Sequence, residues 1–493
     1  MQKINISNTD LHKAIHTIKE TKEDSKMEQK IDELVKSYRN DMIQSLEELV
    51  KIPSVINLES AGEGAPFGQE IRSALDALME LAKTLGFEVR DYDGYAAAVD
   101  FGAEGREIGI LSHIDVVPPG NGWSKQPFVP EIENGKMYGR GTIDDKGPLV
   151  AALYAMKAVR ESGLPIKNHV RHIIGCDEET GHRCIKYYLT KEKGPDLGFS
   201  PDGMFSVIHA EKGILRFQIQ KERELPNTKE LCVIRIKGGT VVNAVPNIAE
   251  VWIGGPKEQL EEILREFQEK ISKGTAQIRE GNLYLAFTGV SAHAMQPWLG
   301  ENAILSMIRF LKDLPFADYK TREYFKALAA LFEDGWEGRG LGIACEDQLS
   351  GKLSMNLGIL NVEKEHSELK VDIRCPVHVD LDTVWKTIRL TCEKHGFQPE
   401  YWQKRPPLYV PKDAQLVQIL LDVYEDVTGT REEAITIGGG TYCRDVENFV
   451  SFGPVFPGEP ELAHEADEFV DLDELVQCAR LYAQALYRLL QME

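Results

Sequence analysis

The chain is predicted to be α/β, and three observations carry that prediction. Ile108–Ser112 and His169–Gly175 are short apolar runs that read as buried strands. Between them, Leu149, Leu153, Met156 and Val159 form an apolar stripe at helical spacing. It follows Pro148 and closes on Gly163, the pattern of a helix with proline near its first turn and glycine past its end. Strand and helix signals go on alternating to about Ala210, as they do in a sheet layered with helices.

Upstream, Ile31–Lys51 has helical periodicity and Pro53 stops it. Met1–Lys30 is polar and charged and lacks the apolar core of a secretory signal. It is expected to be a frayed helix or a flexible extension and is assigned no function. No run is apolar enough to read as a membrane span.

Composition excludes further classes. A length of 493 residues allows roughly two to three domains with sizeable cores. The net charge of −21, without basic stripes, argues against a nucleic-acid partner and fits a soluble acidic enzyme. The eight cysteines are scattered with no paired spacing, so reduced thiols and a cytoplasmic setting are expected.

The chemistry lies in separate segments set among Gly, Ser and Pro: His113-Ile114-Asp115, Asp144-Asp145, Glu178-Glu179, Asp202 and His464. Any one of them alone reads more simply as a core histidine or a solvated turn. Together they offer what a hydrolytic two-metal site needs. If Asp144, Glu179 and Asp202 converge with His113 and His464, three negative charges face one another and their repulsion would raise pKa values. Two divalent ions more than cancel that charge, and a hydroxide brings the sum to zero, so an activated water belongs in such a cluster. The strands at Ile108–Ser112 and His169–Gly175 both run directly into acidic loops, at the carboxyl ends where open sheets bind ligands.

The motifs SHIDVVPPG (112–120), GRGTIDDKG (139–147), GCDEETG (175–181), FSPDG (199–203), GVSAHA (289–294), GGGTYCR (438–444) and LAHEADEF (462–469) resemble the aminoacylase and carboxypeptidase G superfamily of zinc-dependent exopeptidases, and within it the PepV-like dipeptidases. The likeness runs in order from about Ile31 to the C-terminus. It implies a mixed-sheet catalytic domain of the phosphorylase/hydrolase-like kind, discontinuous over residues 31–210 and 406–493, with an inserted α+β lid over 211–405.

The resemblance also implies roles. His113, Asp144, Glu179, Asp202 and His464 would be metal ligands, Asp144 bridging both ions, with the Asp144-Asp145 peptide a candidate cis bond. Asp115 would orient the His113 ring through its carboxylate. Glu178, facing away from its neighbour Glu179, would be the general base, with a pKa raised toward neutrality by burial and nearby acids. In the lid, His293 would hold the oxyanion, and Arg374 a substrate carboxylate, helped by Asn243 and the amides of Gly438, Gly439 and Gly440. The expected activity is a two-metal dipeptidase acting on peptides with free termini, with zinc, manganese or cobalt as the metal. The alternative is an N-acyl amino acid deacylase or carboxypeptidase on the same fold. Asp202 weighs against it, because relatives acting on free-amine peptides tend to carry Asp there. The length of the lid resembles that of monomeric relatives, in which the oxyanion histidine acts on its own chain.

Overall fold

The computed structural model describes residues 26–222, 225–332, 335–363 and 365–493. The chain divides into two compact units. One runs to His209 and takes in Val410–Ile435 and Thr441–Glu493; the other is Ala210–Tyr409 with Thr436–Gly440. The expected N-terminal extension lies outside the described residues as far as residue 25. From residue 26 the chain is helical to 37, turns at Tyr38, and continues as the helix Arg39–Val50 ahead of Pro53.

The first unit is built on a mixed sheet, as expected. Its strands lie side by side in the order Glu88–Tyr92, Ala96–Gly102, His169–Gly175, Glu107–His113, Leu197–Ser200 and Phe449–Ser451. Glu107–His113 runs parallel to both its neighbours, and Phe449–Ser451 is parallel to Leu197–Ser200. Close approach is enforced by small residues: a Cβ on Gly198 would stand 2.1 Å from the Gly109 carbonyl oxygen. The helix Lys146–Glu161 carries the predicted apolar stripe but is buried on nearly every side, not on one face. The long C-terminal helix Leu472–Leu489 packs against it, so small alanines around its circumference let two helices and a sheet meet.

One small sheet matters for the site. Phe469–Asp471 pairs antiparallel with Lys136–Tyr138, which in turn pairs with Glu131–Glu133. This pairing sets the late segment Leu462–Glu468 beside the loop Gly139–Asp145, more than 300 residues earlier in the chain, and Gly139 N donates to Glu468 O at 2.9 Å.

The second unit is α+β. Its antiparallel sheet runs Gly274–Arg279, Asn282–Thr288, Ile248–Gly254, Cys232–Gly238, Ser354–Glu363, His366–Cys375, Gly213–Glu222 and Pro399–Arg405. The helices Lys257–Lys270, Ala303–Leu311, Tyr319–Phe332 and Leu381–Lys394 share with it a continuous core that includes Phe267, Phe287, Phe310 and Leu360.

Candidate active site

In the first unit five segments converge, at or near strand ends. His113 closes its strand and is fully buried. Its Nε2 lies 3.1 Å from Asp144 Oδ1 and 3.7 Å from Asp202 Oδ2. The other oxygen of Asp144, Oδ2, is 3.2 Å from His464 Nε2, which is 2.9 Å from Glu179 Oε2. Two groups result, His113 with Asp144 and Asp202, and His464 with Asp144 and Glu179. In each, the donor atoms lie within 4.8 Å of one another and could hold a metal ion. The Asp144-Asp145 peptide is cis.

Three of these segments are tethered by a carboxylate that accepts from their backbone. Glu468, fully buried, accepts from Gly141 N, Ile143 N and Asp144 N at 3.0, 2.9 and 3.3 Å, and pairs with the buried Arg140 at 2.6 Å. Asp145 Oδ2 accepts from His113 N at 3.0 Å. Asp115 departs from expectation. The His113 ring donates from Nδ1 to the backbone carbonyl of Asp115 at 3.0 Å, while the nearest carboxylate oxygen stands 3.6 Å away. The carboxylate instead accepts from Glu178 N and Glu179 N at 3.2 and 3.1 Å, so it holds the acidic loop more than the ring.

The electrostatics describe a centre that needs positive charge. Burial pushes Asp144 up, but hydrogen bonds from His113 and His464 outweigh it and hold its carboxyl well below the usual range. Burial, and then the Asp144 charge, push Glu179 up to about 7 and Asp202 well above its ordinary value. His464 is raised to about 11 by Asp144 and Glu179. Burial lowers His113, yet Asp115 and Asp144 more than reverse it. Protons on imidazole thus balance carboxylates that two divalent cations would balance better, and a mixed imidazole and carboxylate donor set suits zinc, manganese or cobalt.

Glu178 corrects an expectation. Burial does push it up, but His182 outweighs burial through a hydrogen bond and its charge, and the carboxyl lies below its usual range, not near neutrality. His182 was given no role by sequence reasoning, nor were Glu468, Arg140 or Asp145. Glu468, Arg140 and Asp145 do lie inside two of the motifs, and that is the signal by which they could have been found.

The second unit gathers the remaining expected residues by itself. Ala294 N donates to Asn243 O at 2.8 Å, and a bridge links Ala244 with His293. Asn356 Nδ2 donates to the carbonyls of Val242 and Ala244 at 3.0 and 2.8 Å, locking that loop. His293 is exposed, and its Nδ1 accepts from Met295 N at 3.1 Å, so the proton of the neutral ring sits on Nε2. A Cβ on Gly438 would meet the Met295 side chain at 3.0 Å, and Gly438 O accepts from Arg374 Nη1 at 3.1 Å. Gly438, Gly439 and Gly440 therefore fall with the inserted unit and not with the returning C-terminal segment that surrounds them in sequence. Arg374 is held from the side by Asp372, through Nε at 2.5 Å and Nη2 at 3.2 Å; Asp372 also accepts from Arg216 Nε at 2.6 Å.

The comparisons with known proteins extend over almost the whole chain. "Putative dipeptidase YtjP" of Bacillus subtilis is 40% identical over 458 residues, covering 92% of this chain and 97% of that protein. A "Putative dipeptidase" of Staphylococcus epidermidis is 33% identical, covering 93% and 98%. Among solved structures, human carnosine dipeptidase 1 aligns with a TM-score of 0.58 at 16% identity, over 94% of this chain and 99% of that one. The di-peptidase Dug1p of Saccharomyces cerevisiae aligns with a TM-score of 0.57 at 15% identity, over 93% and 98%. At that identity the likeness establishes a shared fold. The family model for peptidase family M20/M25/M40 matches residues 109–488, which takes in all five of these segments and the whole second unit. By that match and by its bacterial relatives, the chain belongs to peptidase family M20/M25/M40.

Proposed function

We propose that this peptidase is a two-metal dipeptidase, hydrolysing dipeptides whose amino and carboxyl ends are both free. The observation that carries the reading is Asp144, whose two oxygens each face a separate imidazole and carboxylate group. One carboxylate shared between two ligand sets is the arrangement of a paired-metal hydrolytic centre. The dipeptidase names of the bacterial relatives support the choice of substrate.

Bound by His113, Asp144, Asp202, Glu179 and His464, two divalent ions, zinc first among the candidates, would supply an activated water and polarise the peptide carbonyl. Glu178 takes the proton of the attacking water and returns it to the leaving amine. His293, with its proton on Nε2, donates to the oxyanion that forms at the carbonyl carbon. Arg374 presents its remaining N–H donors to the substrate α-carboxylate; Asp372 prevents it from turning. Asn243 and the amides of Gly438, Gly439 and Gly440 add donors to the same end. Asp115 serves the reaction by holding Glu178 and Glu179. We further propose a cytoplasmic enzyme active as a monomer, with His293 acting on its own chain. Among the described residues, no helix is long and apolar enough to cross a membrane.

The test is a panel of dipeptides, tripeptides, C-terminally amidated dipeptides and N-acetyl amino acids, assayed with each metal restored after chelation. Hydrolysis confined to dipeptides with both ends free is the expected result. Efficient release of acetate from N-acetyl amino acids would replace the reading with a deacylase. Mixing Glu178→Ala with His293→Ala chains tests the monomer: recovery well above either variant alone would mean that the site is shared between copies.

A further inference from the structure

His182 lies between two carboxylates. Its Nε2 is 3.1 Å from Glu178 Oε1, and its Nδ1 is hydrogen-bonded to Asp445 Oδ2. The ring is 3% exposed and sits edge-on to the buried Tyr442 ring, with centroids 5.3 Å apart. All four side chains belong to the first unit. We propose that Asp445 and His182 form a hydrogen-bonded relay that orients the Glu178 carboxylate, making His182 a positioning residue for proton transfer. The inference rests on the reading of Glu178 as the general base.

Two observations separate this from ordinary packing. The first is that the turn carrying Glu178 does not need the imidazole to close. Asp177 closes it: its carbonyl accepts from His182 N at 2.7 Å, and its carboxylate accepts from Arg183 N at 2.9 Å and from Arg183 Nε at 2.7 Å. The second is that His182 stands in the left-handed region, at φ 53° and ψ 28°, immediately before the helix Arg183–Lys191. A side chain other than glycine persists there only when its surroundings hold it, and such positions gather at functional sites. What this conformation achieves is to aim the ring back at Glu178, four residues earlier.

The chemistry follows from the donors. A ring with a carboxylate on each nitrogen keeps an N–H on both, and Asp445 fixes its orientation, as a carboxylate does for a general-base histidine. Anchored through Oε1, Glu178 keeps Oε2 to receive the proton of water and pass it to the amine nitrogen of the leaving group. His182 retains its own protons throughout and touches neither substrate nor the reacting atoms. Without it, the glutamate would sample rotamers that cannot make both transfers.

The experiment compares His182→Phe, His182→Gln and Asp445→Asn with the native holoenzyme. His182→Phe should lower kcat by about 10-fold to 100-fold, the usual cost of losing a supporting hydrogen bond at such a site. KM and metal content should stay unchanged. His182→Gln keeps an N–H donor and should recover much of the loss; Asp445→Asn should fall between. Should the phenylalanine variant not fold, the other two decide. The proton NMR spectrum reads the relay without any substrate. A far-downfield imidazole N–H resonance should be present in the native protein, vanish in His182→Gln, and move in Glu178→Gln. An unmoved resonance in Glu178→Gln, or native kcat in His182→Phe, would overturn the relay, as would a kcat loss matched by metal loss. If the native chain cleaves no dipeptide, the functional reading fails while the resonance still decides the relay.

Discussion

The two units offer opposite chemistry. The first presents acceptors: Asp144, Glu179 and Asp202 crowd two imidazoles, and their backbone tethers, through Glu468, Asp145 and Asp115, are carboxylates too. The second holds the donors Arg374 and, through Nε2, His293, with Asp372 as the buried anion that holds Arg374 still. A carboxylate cluster attracts cations, whereas a fixed guanidinium and amide donors attract anions. On the proposed function this is a division of labour, with metal and proton chemistry in one unit and recognition of the negative parts of a peptide in the other. Perturbing each unit should therefore change different measurements.

The largest effect is expected at Glu178. Glu178→Ala should lower turnover on the order of 10⁴-fold, the upper end for a lost general base, while leaving nearly two metal ions bound per chain. Asp144→Ala should lose both activity and metal. Elemental analysis of the purified variants separates the two, and a metal-free Glu178→Ala protein would blur the comparison fatally.

Next comes His293. Its replacement by Ala should cost about 10²–10³-fold in kcat, as for a lost oxyanion donor, with the metal retained. Metal content that fell with His293 would place this residue with the acceptors after all.

Arg374 should act on one end of the substrate only. Arg374→Ala should raise KM for a free dipeptide by roughly 10-fold to 100-fold, the worth of a charge-assisted hydrogen bond. The amidated dipeptide, already poor, should hardly change. Steady-state kinetics on the matched pair decides it; equal losses on both substrates would remove the carboxylate role.

The smallest effect concerns stability and pH in the donor unit. Burial pushes Asp372 up, but Arg374 and Arg216 outweigh it and hold its carboxyl below the ordinary 3.8. A folded pKa below the unfolded one, about 3.9, means that the unfolded chain binds more protons. The stabilisation is therefore present above the unfolded value and lost as pH falls through the folded one. Asp372→Asn should accordingly be less stable than the native chain at pH 7, with the gap narrowing below pH 3.8. Denaturant melts at several pH values measure it, and a gap independent of pH would contradict the ion-pair account.

Much of this is legible in the sequence alone. The apolar runs match the observed strands, His169–Gly175 at both ends and Ile108–Ser112 to within one residue at each end of Glu107–His113, because buried parallel strands leave an unbroken apolar run. The acidic motifs could be read as a cluster because a centre with three carboxylates makes sense only around cations. The apolar stripe predicts the Lys146–Glu161 helix but not its burial on nearly every side, which is a property of the neighbours that enclose it.

What the sequence by itself determined was the inventory: an α/β unit, a set of imidazoles and carboxylates in Gly-rich loops, and the family motifs that carry them. Tertiary structure alone decided how each group is oriented and how each proton is held. Asp115 turned out to grip two amides, with the His113 ring bound to its carbonyl instead. Glu178 sits below its usual pKa because His182 faces it, from a residue whose backbone is left-handed. Gly438–Gly440 joined the inserted unit through Arg374 and Met295, against their place in the chain. A motif specifies which atoms are available, but hydrogen bonds and charges act over a few ångströms, and separations that small are set by packing between segments hundreds of residues apart.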